Sequence, residues 1–333
     1  MATIKDIANR VGVSTCTVSR YINRKIVVKP ETAERIDQAI LDLDYRKNSI
    51  AVSLKTRRSK IIALVIPSLK NVFFAEIADN IASVLEKQGY SMVTFTSEND
   101  YQKELETCEK LMDVGADGAI FMTLPFAYQN GKHIERLQSH NVATLMINRF
   151  FEPNPFVTIA TDFQYGVEQG TQLLIDRGRK KIGMIVGAEN HPQSDVYRQA
   201  FTETMHKNGL FVEPYQIQNC YFSATAMETI THDMIDHGIE AIFGISDFTV
   251  LSSLRVIQER NLKMPRDIML IGSGNTQFSE LVHISSLHSR TDLLGQKAAA
   301  SMLMMLQGHL PERFILVKPH IVERASTQTV YNL

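Results

Sequence analysis

The sequence predicts an α/β protein in which a small, all-helical N-terminal unit precedes a larger body built from parallel sheets. Two observations carry this prediction. Residues 3–43 contain apolar side chains at helical spacing, together with capping residues. From residue 60 onward, short apolar runs alternate with helical stretches, and this alternation is typical of βαβ units and therefore of parallel sheets.

The N-terminal helices are predicted from their caps and from their apolar spacing. Thr3 is placed to cap a first helix that ends at Gly12, Ser14 can cap a second helix running to about Asn23, and Pro30 suits the first turn of a third. Apolar side chains recur at helical spacing in the first and third helices, at Ile4, Ile7, Ala8 and Val11 and at Ala33, Ile36, Ala39, Ile40 and Leu43. We therefore expect the three helices to share one small core.

The body is predicted from its apolar runs, which lie at 61–66, 91–95, 118–122, 143–147, 156–160, 181–187, 241–245 and 268–272. These runs are too many for one small sheet, so we expect two similar lobes side by side. In open parallel sheets, ligands bind at the carboxyl ends of the strands. A ligand site is therefore expected between the lobes, at those ends.

Charge and composition narrow the class of protein. Residues 1–60 contain 13 Lys and Arg against 6 Asp and Glu, whereas the rest contain 22 against 30, so a polyanion is the expected partner of the N-terminal unit alone. The 3 cysteines form no C-x-x-C pair, so neither a disulfide framework nor a metal site is indicated. The N-terminus lacks an apolar leader and no run is long enough to span a bilayer, so a cytoplasmic protein is expected. No cofactor is predicted.

The second predicted helix presents the most specific functional pattern. Thr15, Cys16, Ser19 and Arg20 share its outward face, which follows a glycine-containing turn in a helix-turn-helix arrangement. Such a face can enter a major groove, where an arginine can donate two hydrogen bonds to guanine. The alternative is a structural three-helix unit without a nucleic-acid partner.

The stretch TIKDIANRVGVSTCTVSRYIN, followed by VKPETAERIDQAILDLDYRKNSIAVSLKTRRSKIIALVIPSLKNVFFAEI, resembles the LacI/GalR family of bacterial transcriptional regulators. The resemblance continues through TDFQYGVEQGTQLLIDRGRKKIGMIVG and VYRQAF and covers essentially the whole chain. It implies a repressor with a DNA-binding head and a two-lobed body related to periplasmic binding proteins. The implied effector is a small molecule, a sugar or sugar derivative. The DNA contacts that the pattern and the resemblance indicate in the head are Ser14, Thr15, Cys16, Thr17, Arg20 and Asn23.

Residues 46–59 resemble the hinge of that family, in which a short helix forms on operator DNA and a leucine wedges open the minor groove. Leu54 is the matching wedge, with Ala51 and Lys55 beside it. A wedge of this kind needs two chains, so a homodimer on a palindromic operator is expected, with a tetramer as the alternative. The predicted domains are 1–45 for the head, 46–59 for the hinge, 60–160 with 289–317 for one lobe, and 161–288 with 318–333 for the other.

The resemblance also implies effector contacts in the body, at Asn71, Phe73, Phe74, Arg149, Arg198, Phe222, Asp247 and Asn275. One departure stands out: Gly274 occupies the position at which relatives usually carry an acidic effector contact. Two arginines without that carboxylate would tolerate an anion, so a sugar acid or sugar phosphate is one hypothesis. The alternative is that the two arginines pair with Asp162 or Asp247 and tie the lobes together.

Other functions remain as alternatives at this point. An enzyme of the doubly wound type would need a catalytic pair or a cofactor fingerprint, and the sequence contains neither. A transport-type binding protein fits poorly with the helical head. A global regulator that answers to a phosphorylated carrier protein instead of a small molecule is a further alternative. Helix 74–88, with Ile77, Ile81, Val84 and Leu85, is a candidate dimer surface, although core is the favoured role for most of these residues.

Overall fold

The structure, a computed structural model, describes residues 2–45, 58–122, 131–151, 153–189, 191–220 and 223–328. The chain divides between Ser59 and Lys60 into two compact units, called here the head and the body.

The described part of the head, residues 2–45 with 58 and 59, contains three helices: α1 (Ile4–Val11), α2 (Thr15–Ile22) and α3 (Pro30–Asp42). Thr3 caps α1 through a reciprocal capping box with Asp6, and Pro30 begins α3. The buried residues of the head belong to all three helices and form one core: Ile7, Ala8, Val11, Val18, Ile36 and Ala39. The predicted helices, caps and shared core are thereby confirmed.

Gly12 makes the turn between α1 and α2 possible. Its backbone has φ 73° and ψ 35°, in the left-handed region that disfavours residues with a Cβ atom. The chain leaves α1 at this residue and turns, which lets α2 pack against α1.

The first sheet of the body has six parallel strands in the order β11-β5-β4-β3-β1-β2. Their bounds are β1 (Ile61–Ile66), β2 (Ser91–Thr96), β3 (Gly118–Met122), β4 (Ala143–Ile147), β5 (Val157–Thr161) and β11 (Phe314–Val317). The central strands are apolar and buried on both faces, as a parallel sheet covered by helices requires.

The second sheet also has six strands, in the order β12-β10-β9-β8-β6-β7. Their bounds are β6 (Ile182–Val186), β7 (Ile217–Asn219), β8 (Ala241–Gly244), β9 (Met269–Ser273), β10 (Ser285–His288) and β12 (His320–Val322). The edge strand β12 is antiparallel to β10, and the other pairs are parallel. The predicted α/β class with two parallel sheets is confirmed.

Helices cover both faces of each sheet. The helices on the first sheet are α4 (Val72–Lys87), α5 (Tyr101–Asp113), α6 (Lys132–Ser139) and α12 (Thr291–Leu306), and those on the second are α7 (Phe163–Asp176), α8 (Pro192–Lys207), α9 (Ala224–Asp236), α10 (Asp247–Glu259) and α11 (Gln277–Leu281). A short 3-10 turn, Pro214–Gln216, precedes β7. Ile77, Ile81 and Leu85 of α4 are fully buried in the core that α4 and α12 form with the first sheet, so the core role favoured for them is confirmed.

The chain passes between the two sheets three times: after β5, after β10, and between β11 and β12. Because β11 joins the first sheet and β12 the second, the last crossing is only two residues long, Lys318 and Pro319. Each sheet with its helices is called a lobe below, the first lobe containing β1 and the second β6.

Candidate functional site

The outward face of α2 is the first candidate site, and it lies where the sequence places it. Val18 is fully buried and anchors the helix against α1, whereas Thr15, Cys16 and Arg20 are exposed. Because side chains four residues apart share a helix face, Cys16 and Arg20 point the same way from the head. The helix thus presents a hydroxyl, a thiol and a guanidinium on its free side.

The other three predicted DNA contacts of the head, Ser14, Thr17 and Asn23, already make hydrogen bonds within the head. Ser14 Oγ accepts from the Thr17 backbone N–H at 3.1 Å, and the two hydroxyls also bond each other at 2.8 Å. Asn23 Nδ2 donates to the Ser19 carbonyl at 2.7 Å. These contacts fix both ends of α2, so Ser14, Thr17 and Asn23 shape the helix as well as bordering its exposed face.

Four predicted contacts, Ala51, Leu54 and Lys55 of the hinge and Phe222 of the body, lie outside the described residues. They remain predictions.

In the body, Arg149 lies two residues after the end of β4, in a buried ionic cluster. Its Nη1 and Nη2 donate to both carboxylate oxygens of Glu104 on α5, at 2.9 and 2.8 Å. His133 Nε2 of α6 bonds the same carboxylate at 2.6 Å, and the rings of Phe121 and Phe151 lie within 5.7 and 5.1 Å of the guanidinium carbon. Both charged side chains are 1% exposed.

The cluster is arranged to keep Glu104 ionised. Burial acts to raise the pKa of its carboxyl group, but the hydrogen bonds from His133 and Arg149 outweigh burial and hold that pKa below its ordinary value. The alternative in which Arg149 pairs with Asp162 or Asp247 is wrong, because its carboxylate partner is Glu104. Asp162 instead caps α7 by accepting the Tyr165 N–H, because it stands directly before that helix.

Asp247, the first residue of α10, is also fully engaged within its lobe. Its Oδ2 accepts from the backbone N–H and the hydroxyl of Thr276 at 2.6 and 2.8 Å, and its Oδ1 accepts from the Ser286 hydroxyl at 2.5 Å. Gly272 makes room for it, since a Cβ atom there would lie 2.3 Å from Asp247 Oδ1. Thr276 and Ser286 did not emerge from the sequence, because only the fold brings them to Asp247.

The other polar candidates of the second lobe have protein partners too. Arg198 Nη2 donates to Asn219 Oδ1 at 2.8 Å, at the carboxyl end of β7, and not to Asp162 or Asp247 as the alternative required. Asn275 Oδ1 accepts from Arg324 at 2.8 Å, and the Asn275 N–H donates to Ser286.

The sequence analysis did not single out Tyr197, the neighbour of Arg198. Of the two side chains, Tyr197 is the one that points into the core of the second lobe. It is fully buried, and its hydroxyl bonds Ser273 at the end of β9 at 2.8 Å. Burial raises the pKa of Tyr197, so the phenol stays protonated. The signal was available: Tyr197 is spaced three and four residues from the apolar Ala200 and Phe201 and shares their buried face, whereas Arg198 is turned away from it.

The predicted contacts after β1 lie at the start of α4. Asn71 caps the helix through its side-chain oxygen, which accepts the Phe73 N–H. Phe74 is buried in the core of the first lobe, whereas Phe73 is half-buried and meets it edge-on at 5.7 Å between ring centroids. Of the two rings, Phe73 is the one accessible to a ligand.

Over the described ranges, no three His, Cys, Asp or Glu side chains are arranged to hold a metal ion. Each helix in the same ranges is too short or too polar to cross a bilayer.

Two family models match the chain. Residues 3–48 match the bacterial regulatory proteins of the lacI family, and residues 171–327 match a periplasmic binding protein-like domain. The first range contains α1, α2 and α3, and the second covers most of the second lobe.

Curated relatives match over nearly the full length. A transcriptional repressor named PurR from Pasteurella multocida (strain Pm70) is 28% identical over 335 residues, covering 99% of each chain. Catabolite control protein A from Priestia megaterium is 27% identical over 336 residues, covering 98% of this chain and 99% of its own.

Solved structures show the same fold. The lac repressor dimer bound to operator and the anti-inducer ONPF aligns with a TM-score of 0.84 at 22% identity, covering 98% of this chain and 99% of its own. A complex of the transcriptional regulator CelR with cellobiose aligns with a TM-score of 0.73 at 22% identity, covering 98% and 100%.

Proposed function

Because the chain belongs to the LacI family of bacterial regulatory proteins and is therefore a DNA-binding transcriptional regulator, we propose that it is a repressor controlled by a small-molecule effector. The effector, a sugar or sugar derivative, binds the body. The two lobes then change arrangement, and the hinge transmits that change to the head.

The exposed face of α2 is the observation that carries this proposal. The helix is anchored by one buried valine and capped at its N-terminus, so it can enter a major groove without rearranging the head. Arg20 is the side chain suited to reading guanine, with Thr15 and Cys16 one turn earlier to contact neighbouring bases.

The fold of the body supports the effector half of the proposal. We place the lobes at 60–160 with 289–317 and at 161–288 with 318–333, with the effector between them, and the three chain crossings favour this division. Relatives and structural neighbours carry regulator names, one of them in complex with cellobiose, which supports a regulator and not an enzyme.

An exposed apolar surface on the second lobe supports a homodimer. It is called the α11 patch here and consists of Phe248, Phe278, Leu281 and Val282, which are 49%, 47%, 74% and 41% exposed. Three of these side chains lie on the packed helices α10 and α11, and Val282 directly follows α11. Exposed apolar side chains grouped in this way are typical of an interaction surface, and a second copy related by a two-fold axis would cover both patches at once.

The test is an Arg20→Ala variant, assayed against a duplex that the wild-type chain has selected from random DNA. We expect specific affinity to fall by about 5- to 150-fold, the equivalent of about 1–3 kcal/mol, and non-specific affinity to fall much less. A Lys5→Ala variant on α1 is the matched control and should leave the specificity ratio unchanged. An equal loss on every DNA sequence would rule out base reading by Arg20.

A further inference from the structure

The free edge of β11 is a second surface for self-association. We propose that this edge pairs antiparallel with the same edge of a second copy, in a register centred on Ile315, and that the pairing joins dimers into larger assemblies, the first of which is a tetramer. In the described structure β11 is the last strand on its side of the first sheet and pairs with β5 alone. The proposal goes beyond the proposed function, which needs only a dimer.

The backbone of β11 has hydrogen-bonding groups that point away from the sheet. The carbonyl groups of Arg313 and Val317 point inward, because they accept the backbone N–H groups of Thr158 and of the residue that follows β5. Backbone directions alternate along a strand. The N–H and carbonyl groups of Phe314 and Leu316 therefore point toward the free edge, where a further strand can bond them.

The side chains beside these groups are apolar and exposed. Phe314 and Leu316 are 41% and 50% exposed, and the exposed Phe150 lies 6.0 Å from Phe314 between ring centroids. Ile315 points to the other face and packs against the core, and α12 packs over β3, β4 and β5. Large apolar side chains on a free sheet edge favour association with another chain.

The sequence of the edge is complementary to itself. In an antiparallel pairing centred on Ile315, Phe314 lies opposite Leu316 of the second copy, and Glu312 lies opposite Lys318 of the second copy. The four paired residues alternate along the chain, so they share one face, and all four are exposed. The two-fold axis makes each pair occur twice. Apolar pairs and pairs of opposite charge stabilise neighbouring strands, so this complementarity identifies a second copy as the partner.

Neighbouring registers lose this complementarity. Moving the centre by one residue sets Glu312 opposite Leu316, or Phe314 opposite Lys318, so a charge faces an apolar side chain. The prolines that flank the strand do not interrupt the pairing. Pro311 and Pro319 alternate with the outward-pointing residues, so the N–H group that each lacks would have pointed inward. The edge therefore keeps its outward donors.

The pairing is weaker than the dimer and adds to it. β11 has four residues, so the contact is smaller than a standard protein interface and forms at higher concentration than the α11-patch dimer. Lys318 Nζ lies 4.9 Å from the Tyr165 ring centroid, and a cation–π contact at an exposed site is weak enough to be exchanged for an ion pair. Leu310 lies outside the paired stretch 312–318.

The experiment measures the dimer–tetramer step of the full chain by sedimentation velocity over a range of concentrations. Glu312→Lys and Lys318→Glu each place like charges opposite one another, so we expect each to raise the dissociation constant of this step about tenfold. The double variant Glu312→Lys/Lys318→Glu restores opposite charges in both pairs. Its dissociation constant should return to within about threefold of wild type. Lys207→Glu, exposed at the end of α8, makes the same change of charge and should leave the step unchanged.

A backbone variant tests the pairing without changing charge. Leu316→Pro removes one outward N–H group, which faces solvent in the single chain, so an edge strand tolerates it, and the thermal unfolding midpoint reports whether the fold is kept. We expect tetramers to be lost and dimers to remain. In Leu281→Asp, which removes the α11-patch contact, the same charge variants should act on a monomer–dimer step, so the two interfaces are tested separately. A wild-type chain that stays dimeric at every concentration, or a double charge variant as defective as the single ones, would overturn the proposal.

Discussion

Glu104 is central to the buried cluster of the first lobe, because its one carboxylate is hydrogen-bonded by both the Arg149 guanidinium and the His133 imidazole. Removing one member of a buried ion pair leaves the other charged and without compensation, and this costs more than the pair itself contributes. Arg149 is held by Glu104 alone among carboxylates in the described structure, so the arginine is the group that would be stranded.

We therefore predict that Glu104→Gln lowers the free energy of unfolding by about 3–5 kcal/mol at pH 7, measured by urea denaturation. The control is Glu109→Gln on the same helix. Glu109 pairs with Arg136 in an ion pair whose side chains are 56% and 57% exposed, and such pairs contribute at most about 1 kcal/mol. The difference between the two variants in the free energy of unfolding should become smaller as the pH is lowered. Because the folded pKa of Glu104 lies below the ordinary value of 4.5, its stabilisation is complete above that value and is lost as the pH falls through the folded pKa. Equal losses in the two variants at pH 7 would contradict this account.

Single residues also show where a sequence is informative. Thr3 and Ser14 were predicted as caps because capping depends on neighbours three residues away. The partner of Arg149 could not be predicted in the same way, since Glu104 is 45 positions earlier and meets it only when α5 packs beside β4. Asp162 looked equally suitable as a partner until its helix-capping role was visible.

At the scale of elements, apolar runs revealed eight strands of the described body, although β11, which reads FILV, is also apolar and was missed. Eight apolar runs correspond to eight strands within a residue or two at each end. The four strands that were missed are β7, β10, β11 and β12, which have three or four residues each. β10 reads SSLH, and its serines are buried only because Ser285 bonds Arg324 and Thr327 and Ser286 bonds Asp247. A strand stabilised by such distant partners has no local apolar signature.

Helices α4 and α12 pack closely at Gly295. A Cβ atom there would lie 2.5 Å from Asn80 Cβ and 3.0 Å from the Ile77 carbonyl oxygen, so the two helix backbones would have to separate. We predict that Gly295→Ala lowers the free energy of unfolding by about 1–2 kcal/mol, since overpacking outweighs the better helix propensity of alanine. Gln296→Ala, exposed on the next position of the same helix, should change it by less than about 0.5 kcal/mol. A stabilised Gly295→Ala protein in chemical denaturation would show that the helices have room to adjust.

At the scale of the whole molecule, the first prediction concerns the α11 patch and the dimer. A charge placed in an isologous interface is buried twice, once from each copy, so Leu281→Asp should raise the dimer dissociation constant by at least about 100-fold. Sedimentation equilibrium measures this directly. Leu310→Asp is the matched control, because Leu310 is 95% exposed just before β11 and outside the patch. A Leu281→Asp chain that sediments as wild type would place the dimer interface elsewhere.

The second prediction at this scale concerns the coupling between effector and operator. If the effector changes operator affinity by some factor, the operator must change effector affinity by the same factor, since both follow from one equilibrium. The family resemblance assigns Leu54 to the wedge position. Leu54→Ala should therefore weaken operator binding and bring the coupling factor close to one. The affinity for effector in the absence of DNA should stay at its wild-type value. Arg20→Ala is the informative comparison: it weakens operator binding at the α2 face but should keep the factor intact, because the hinge still responds. Titrations of each partner at saturating concentrations of the other give the factor in both directions. If wild type and Leu54→Ala have equal coupling factors, the signal reaches the head without the wedge. If, in one protein, the effect of effector on operator affinity differs from the effect of operator on effector affinity, more than one equilibrium links the sites.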